Sequence, residues 1–293
     1  MLAATILCVL AVGCGANPAD GTELPTNNPI ATEEKTPMPT PTEQALLEER
    51  VTYGQNDDFQ YVLHERADFF GAGILRYIGP GGNVVIPGMI EGIPVTGVDE
   101  GAFKYNKEIT SVVIPEGVTK IESNTFLGCL SLVSVEIPNT VFEIGAYAFA
   151  DCSSLVYLSI PYGVEIIGIR AFANCESLIS VTIPGSAKLI GNTFINCTSL
   201  SSVIIQDGVT AIADHTFFEC VSLSTITIPS SVILIGTRAF NKCSALESVY
   251  FEGDAPEMGK DVFGDTPPSL TIYYREGTTG WDAPEWGDLN LQA

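Results

Sequence analysis

Apolar residues recur along the body of the chain in a fixed order that repeats about every 23 residues. Written generally, one unit reads IP-xx-V-xx-IG-xx-AF-xx-C-xx-L-xx-V-x-I. Fixed periods of 20 to 50 residues are typical of solenoids, in which each repeat forms one coil. Phenylalanine marks the period at spacings of 23 residues with a single spacing of 22: Phe103, Phe126, Phe149, Phe172, Phe194, Phe217, Phe240 and Phe263.

Each unit predicts two short extended sides joined by corners. In residues 177–184 (SLISVTIP), Val181 and Ile183 alternate with a polar residue as in a strand, and Pro184 is expected to end that strand because it cannot donate to a sheet ladder. Residues 164–168 (VEIIG) predict a second short strand, and residues 169–175 (IRAFANC) favour a helical turn. One coil cannot bury its apolar face alone, so we expect stacked coils to bury one another's side chains.

Six cysteines lie three residues after a repeat phenylalanine. A zinc site would need paired ligands a few residues apart, as in CxxC, and the sequence contains none. Asn106 and Thr266 hold the same position in the first and last coils, so a small hydrogen-bonding residue is favoured there. Parallel side chains about 5 Å apart are poorly placed for disulfides. We therefore expect buried free thiols at Cys129, Cys152, Cys175, Cys197, Cys220 and Cys243.

The N-terminus carries a second signal. Residues 1–13 (MLAATILCVLAVG) are apolar but too few to span a bilayer, so they predict a signal peptide. The end of this stretch, LAVGC, resembles the lipobox of bacterial lipoproteins, which implies cleavage before Cys14 and acylation of its thiol. Plain secretion and an unprocessed N-terminus remain alternatives, and the first basic residue, Lys35, allows an upstream start codon.

Composition divides the rest of the chain. Residues 14–50 are rich in Pro, Thr and Glu and predict a disordered tether that would lift the body off a membrane. Residues 51–82 alternate around turn signals and predict a hairpin-like N-terminal cap. Residues 83–265 hold the solenoid, and residues 266–293, with both tryptophans, predict a C-terminal cap.

The whole repeat resembles the BspA-type, or Treponema pallidum-type, leucine-rich repeat family, from about residue 58 to residue 263. The resemblance implies a right-handed superhelix with a parallel sheet on its concave face and short helical or extended segments on its convex side. Members are typically surface or secreted proteins of bacteria and some protists, and several are linked to adhesion. The family has no shared catalytic residues.

The net charge and the motifs that the sequence lacks limit the classes of partner and activity. Thirteen basic and 35 acidic residues give a net charge of −22, which disfavours nucleic acid and anionic lipid headgroups. The sequence contains no GxSxG, P-loop, GxGxxG or HExxH motif, so we expect no enzyme, no cofactor and no metal. His64 and His215 fit surface or corner positions.

The outward strand positions are mostly serine and threonine. Large amphipathic side chains are common interface anchors, although strand propensity alone also favours Tyr, Ser and Thr. We therefore predict an exported monomer, lipid-anchored at the cell surface or secreted, that binds a protein or glycan, for example one of a host. Alternatives are a structural spacer without a specific ligand and a sensor or scavenging lipoprotein. The candidate ligand-binding residues are Glu136, Tyr157, Ile204 and Tyr250.

Overall fold

A computed structural model describes residues 50–65, 70–287 and 289–293. The predicted signal peptide, Cys14 and the tether up to residue 49 lie outside the described residues. Within the described part, no helix has the length and apolar character needed to cross a membrane.

An antiparallel sheet leads into the first coil. The N-terminal strands are β1 Arg50–Gln55, β2 Phe59–Glu65, β3 Phe70–Tyr77, β4 Gly82–Val85, β5 Met89–Ile90 and β6 Ile93–Val98. β1 pairs with β2 and β2 with β3 in antiparallel fashion, and β3 then pairs in parallel with β6. Tyr77, at the end of β3, stacks on Phe103 with ring centroids 5.2 Å apart, which covers the first phenylalanine of the repeat.

Each coil contributes one strand to a parallel sheet, which we call the long-strand sheet. After β4, its strands are β7 Ile109–Val113, β9 Ser134–Glu136, β11 Tyr157–Leu158, β13 Ser180–Ile183, β15 Ser202–Ile205, β17 Thr225–Ile228, β19 Ser248–Phe251, β21 Thr271–Tyr274 and β22 Asn290–Gln292. The strands are parallel and follow the orders β4-β7-β9-β11-β13-β15 and β17-β19-β21-β22 in two hydrogen-bonded groups. β13 ends directly before Pro184, as predicted.

The other side of each coil carries a two-residue strand of the short-strand sheet. The strands are β8 Lys120–Ile121, β10 Glu143–Ile144, β12 Ile166–Ile167, β14 Leu189–Ile190, β16 Ala211–Ile212, β18 Leu234–Ile235 and β20 Glu257–Met258. β8, β10 and β12 continue in parallel from β6, and β14, β16, β18 and β20 form a separate group. The break between β12 and β14 precedes the shortened corner at 191–194, where the Thr193 hydroxyl donates to the carbonyl of Gly191. Stacked parallel strands with almost no helix confirm the predicted repeat solenoid.

The corner at 169–175 differs from the helical turn that its sequence favours. The N–H groups of Ala171 and Ala173 donate within the coil, to residues three positions earlier. Those of Phe172 and Asn174 donate instead to carbonyls of the next coil. A helix would direct all of these donors along its own axis, so the corner gives up helical bonding in order to join neighbouring coils. Among the described residues, the one helix is the short 3₁₀ segment η1, Pro284–Trp286.

This alternation of hydrogen-bond directions requires two residues with a left-handed backbone conformation in each corner. The residues two before and two after every repeat phenylalanine have φ between 50° and 71°. Glycine, Asn and Asp tolerate this conformation, whereas β-branched residues are outliers there, and none occurs. The first set is Gly101, Asn124, Tyr147, Arg170, Asn192, His215, Arg238 and Asp261, and the second is Tyr105, Gly128, Asp151, Asn174, Asn196, Glu219, Lys242 and Asp265.

The repeat phenylalanines form one continuous stack through the core. Successive ring centroids lie 4.8 to 5.7 Å apart, and successive ring planes differ by 5° to 25°. At the C-terminal end, Trp281 and Trp286 pack edge-on against Phe251, and Trp286 is fully buried. Aromatic rings therefore cover the core at both ends.

The repeat cysteines are buried, and each thiol donates to the carbonyl of the phenylalanine in the coil before it, with Sγ to O distances of 3.1 to 3.3 Å. At the equivalent positions, Asn106 accepts from two backbone N–H groups and the Thr266 hydroxyl donates to the Phe263 carbonyl. All six thiols are free, which confirms the prediction from spacing. The six thiols thus link neighbouring coils by hydrogen bonds, whereas Asn106 and Thr266 bond within their own coils.

Burial suppresses ionisation of these thiols. It raises the pKa of Cys129, Cys197 and Cys243 to about 12. It raises the pKa of the other three, Cys152, Cys175 and Cys220, well above the ordinary value.

Replacing Phe172 by Ala is expected to cost about 3–5 kcal/mol of unfolding free energy, because it removes a fully buried ring from the middle of the stack. Urea unfolding measures the loss. Because each coil contacts mainly its neighbours, hydrogen exchange should show the largest loss of protection in the flanking coils. Tyr157→Ala, at a position that is 69% exposed, is the control and should cost less than about 1 kcal/mol. Equal losses in the two variants would contradict this assignment of core and surface.

The protein should lose stability in alkaline solution. Unfolded thiols lose their protons near the ordinary pKa of 9.0, before the folded thiols do. The contribution of each thiol is therefore complete below about pH 9 and falls as the pH rises above that value, by up to about 1.4 kcal/mol per pH unit. Urea midpoints measured from about pH 8 to about pH 11 test this, since Cys175→Ser should show a shallower decline. Identical slopes for the variant and the parent would contradict it.

Candidate functional site

Side chains of the long strands alternate between core and solvent. In β13, Val181 and Ile183 are buried, whereas Ser180 is exposed and Thr182 is half-buried. In-register pairing aligns the outward positions into two rows that run along the solenoid. The first row is Ser111, Ser134, Tyr157, Ser180, Ser202, Thr225 and Ser248, and the residue in register after it, Thr271, is buried. The second row is Val113, Glu136, Ser159, Thr182, Ile204, Thr227, Tyr250 and Tyr273. We call these two rows the outward face.

The predicted binding residues all lie on the outward face, but they do not converge. Tyr157 stands in the first row between Ser134 and Ser180. The other three occupy the second row: Glu136, Ile204 and Tyr250. Three strands separate β11 from β19, which places the two tyrosines about 19 Å apart. They are therefore two separate features of one face.

A cleft of 580 Å³ opens at the C-terminal end of the outward face. Tyr250 forms one wall, and its ring stacks on that of Tyr273 with centroids 4.7 Å apart and planes 10° apart. Small hydroxyl residues and two opposite charges complete the lining. The lining residues are Thr227, Ser230, Tyr250, Phe251, Glu252, Tyr273, Tyr274 and Arg275.

Sequence reasoning missed Tyr273 and Arg275 because they follow the last repeat phenylalanine. A signal for them exists, since residues 271–274 (TIYY) repeat the pattern of residues 248–251 (SVYF) at the usual spacing of 23. β21 accordingly pairs in register with β19 and extends the parallel sheet into the segment assigned to the C-terminal cap.

Comparison with known proteins agrees with this architecture. A family model described as the BspA type leucine rich repeat region, six copies, matches residues 96–193 and 187–281. The chain belongs to the BspA-type leucine-rich repeat family. No curated protein matches the chain in sequence.

Solved structures of bacterial proteins resemble this BspA-type chain. A leucine-rich cell surface protein from Faecalibacterium prausnitzii is 36% identical, with a TM-score of 0.60, over 68% of this chain and 54% of that one. The chain thus spans about half the length of that relative. The leucine-rich repeat protein of Treponema pallidum is 31% identical, with a TM-score of 0.56, over 75% of this chain and 92% of that one. The pneumococcal vaccine antigen PcpA, at 19% identity and a TM-score of 0.50 over 76% and 72% of the two chains, shows the fold alone.

The short-strand sheet of the BspA-type chain presents an apolar row. Ile166, Leu189 and Leu234 are 50%, 56% and 38% exposed, and they point outward from their two-residue strands. Toward the N-terminus the row becomes charged, where Lys120 forms ion pairs with Glu122 and Glu143. This surface contrasts with the hydroxyl-rich outward face.

A second hollow, of 460 Å³, lies where the N-terminal strands of the BspA-type chain meet its first coils. Its lining includes His64, Asp99, Lys120 and Phe142. Burial raises the pKa of the Asp99 carboxyl, and the nearby negative charge of Glu122 adds to the rise. Across the described ranges, no group of three or more His, Cys, Asp and Glu side chains is placed to hold a metal ion.

Proposed function

We propose that the chain is a cell-surface binding module that recognises a protein or glycan through its outward face. The observation that carries the proposal is the exposure of large side chains among small hydroxyls: Tyr157 is 69% exposed, Ile204 57% and Tyr250 42%. Exposed aromatic side chains anchor many interfaces. The family includes a bacterial cell surface protein, which supports the location.

The competing function is a structural spacer without a specific ligand. The regular rows of Ser and Thr favour it, because small hydroxyls supply little contact area and also suit exposed strands. The two functions differ in whether the large outward side chains contribute to binding.

We also propose that the body is held at the membrane by acylation of Cys14. The support is the lipobox-like sequence LAVGC followed by a segment rich in Pro and Thr. Such an arrangement would leave the outward face accessible at a distance from the lipid.

Binding by the outward face is tested with the purified chain on an array of extracellular-matrix proteins and glycans. For a bound probe, Tyr157→Ala or Tyr250→Ala should weaken affinity at least about fivefold, since truncating an interface anchor costs more than about 1 kcal/mol. Ile166→Ala, at an exposed site on the short-strand sheet, should leave affinity unchanged. Binding lost only in Ile166→Ala would contradict the proposal, and no binding to any probe would favour the spacer.

Lipid anchoring is tested by expressing the chain with its own leader in a bacterium. The parent protein should partition into the detergent phase, because an acyl chain buries apolar surface in lipid. Cys14→Ser removes the acylated thiol and should partition into the aqueous phase. Aqueous partitioning of both proteins would refute acylation.

A further inference from the structure

We propose that the cleft beside Tyr250 is a carbohydrate subsite that takes one uncharged sugar ring, stacked on the tyrosine. This inference rests on the proposed function, since it names one ligand chemistry for part of the outward face. It concerns the C-terminal end of the second row, where Thr227, Tyr250 and Tyr273 lie in register on β17, β19 and β21.

The geometry leaves one face of the Tyr250 ring open. Tyr273 covers the face toward β21, with nearly parallel planes and a centroid spacing close to the distance between strands. The opposite face is directed toward β17, where the in-register neighbour is Thr227, a small side chain. The row therefore lacks the ring that would continue the stack. A flat ring with apolar C–H groups on one side fits above Thr227 and against Tyr250.

The polar groups of the cleft match the rim of a sugar. The Arg275 guanidinium only donates hydrogen bonds, the Glu252 carboxylate only accepts them, and sugar hydroxyls do both. Thr227 and Ser230 add two more hydroxyls. Because the two charges are opposite, the cleft favours no net charge on its ligand, and the protein's net charge of −22 disfavours acidic sugars.

The walls of the cleft are held in place before any ligand binds. Backbone N–H groups of Glu252 and Arg275 donate to the carbonyls of Ile228 and Phe251 on the preceding strands. Tyr274 stacks on Trp281 with centroids 4.8 Å apart. A pre-formed cleft of 580 Å³ has the size of a small-molecule site and favours a discrete sugar over a flat protein epitope.

The test measures binding of neutral disaccharides (cellobiose, lactose, maltose and mannobiose) to the full chain, with sialyllactose as the charged counterpart. Tryptophan fluorescence is a suitable signal, because both tryptophans of the chain lie beside the cleft wall at Trp281 and Trp286. We expect at least one neutral disaccharide to bind. Thr227→Tyr should abolish that binding by filling the open position with a ring, while circular dichroism and the melting temperature stay unchanged.

The control for the added ring is Leu234→Tyr, which places a tyrosine on the short-strand side of the same coil and should bind as the parent does. A second pair of variants does not depend on Thr227→Tyr folding. Tyr250→Ala should weaken binding at least about tenfold, and Tyr250→Phe, which keeps the ring, should stay within about threefold of the parent.

Three results would overturn the subsite. The first is that no neutral disaccharide binds at about 10 mM, a concentration well above a millimolar dissociation constant. The second is binding of sialyllactose alone, and the third is an equal loss of disaccharide affinity in Tyr250→Ala and Tyr250→Phe. Failure of the subsite is distinguishable from failure of the proposed function. A protein probe that still requires Tyr157 would leave the outward face as a binding surface while refuting the sugar site.

Discussion

The structure depends on the stacking of each coil on the next. A coil of about 23 residues is too small to enclose a core of its own, so its phenylalanine is buried only because rings of the adjacent coils cover it. The corner backbone serves the same requirement, since half of its donors are directed at the neighbouring coil. At the N-terminal end Tyr77 stacks on Phe103, and at the C-terminal end Trp286 packs against Phe251.

This constraint leaves little freedom inside the coil and much freedom on the outward face. The phenylalanine must stack on its neighbours, and the cysteine must be small and must donate to a carbonyl of the preceding coil. The left-handed corner positions exclude β-branched residues. Outward side chains of the long strands are under none of these constraints. Differences between coils are therefore structurally tolerated there.

The sequence predicts what the period controls. The spacing places the phenylalanine and cysteine positions correctly, because a fixed period forces equivalent residues into one ladder. It does not predict the corner, since residues such as IRAFANC suit a helix locally and only the demand for bonds between coils turns alternate donors outward. The sequence does not predict the cleft either, because its lining combines Glu252 and Arg275 from two strand ends with Tyr273 from a segment beyond the last repeat phenylalanine.

The two outward tyrosines differ in a way that only the stacked arrangement produces. Tyr157 lies between Ser134 and Ser180, so small neighbours flank it on both sides and it can adapt to a broad partner surface. Tyr250 is held on one side by Tyr273, so its ring has less freedom to lose when a ligand stacks on the other side. A ring that is held in place next to a small residue, as at Tyr250, forms a defined site. A tyrosine without an aromatic neighbour, as at Tyr157, provides only contact area. The two proposed binding features of the outward face therefore differ in kind, and they lie about 19 Å apart.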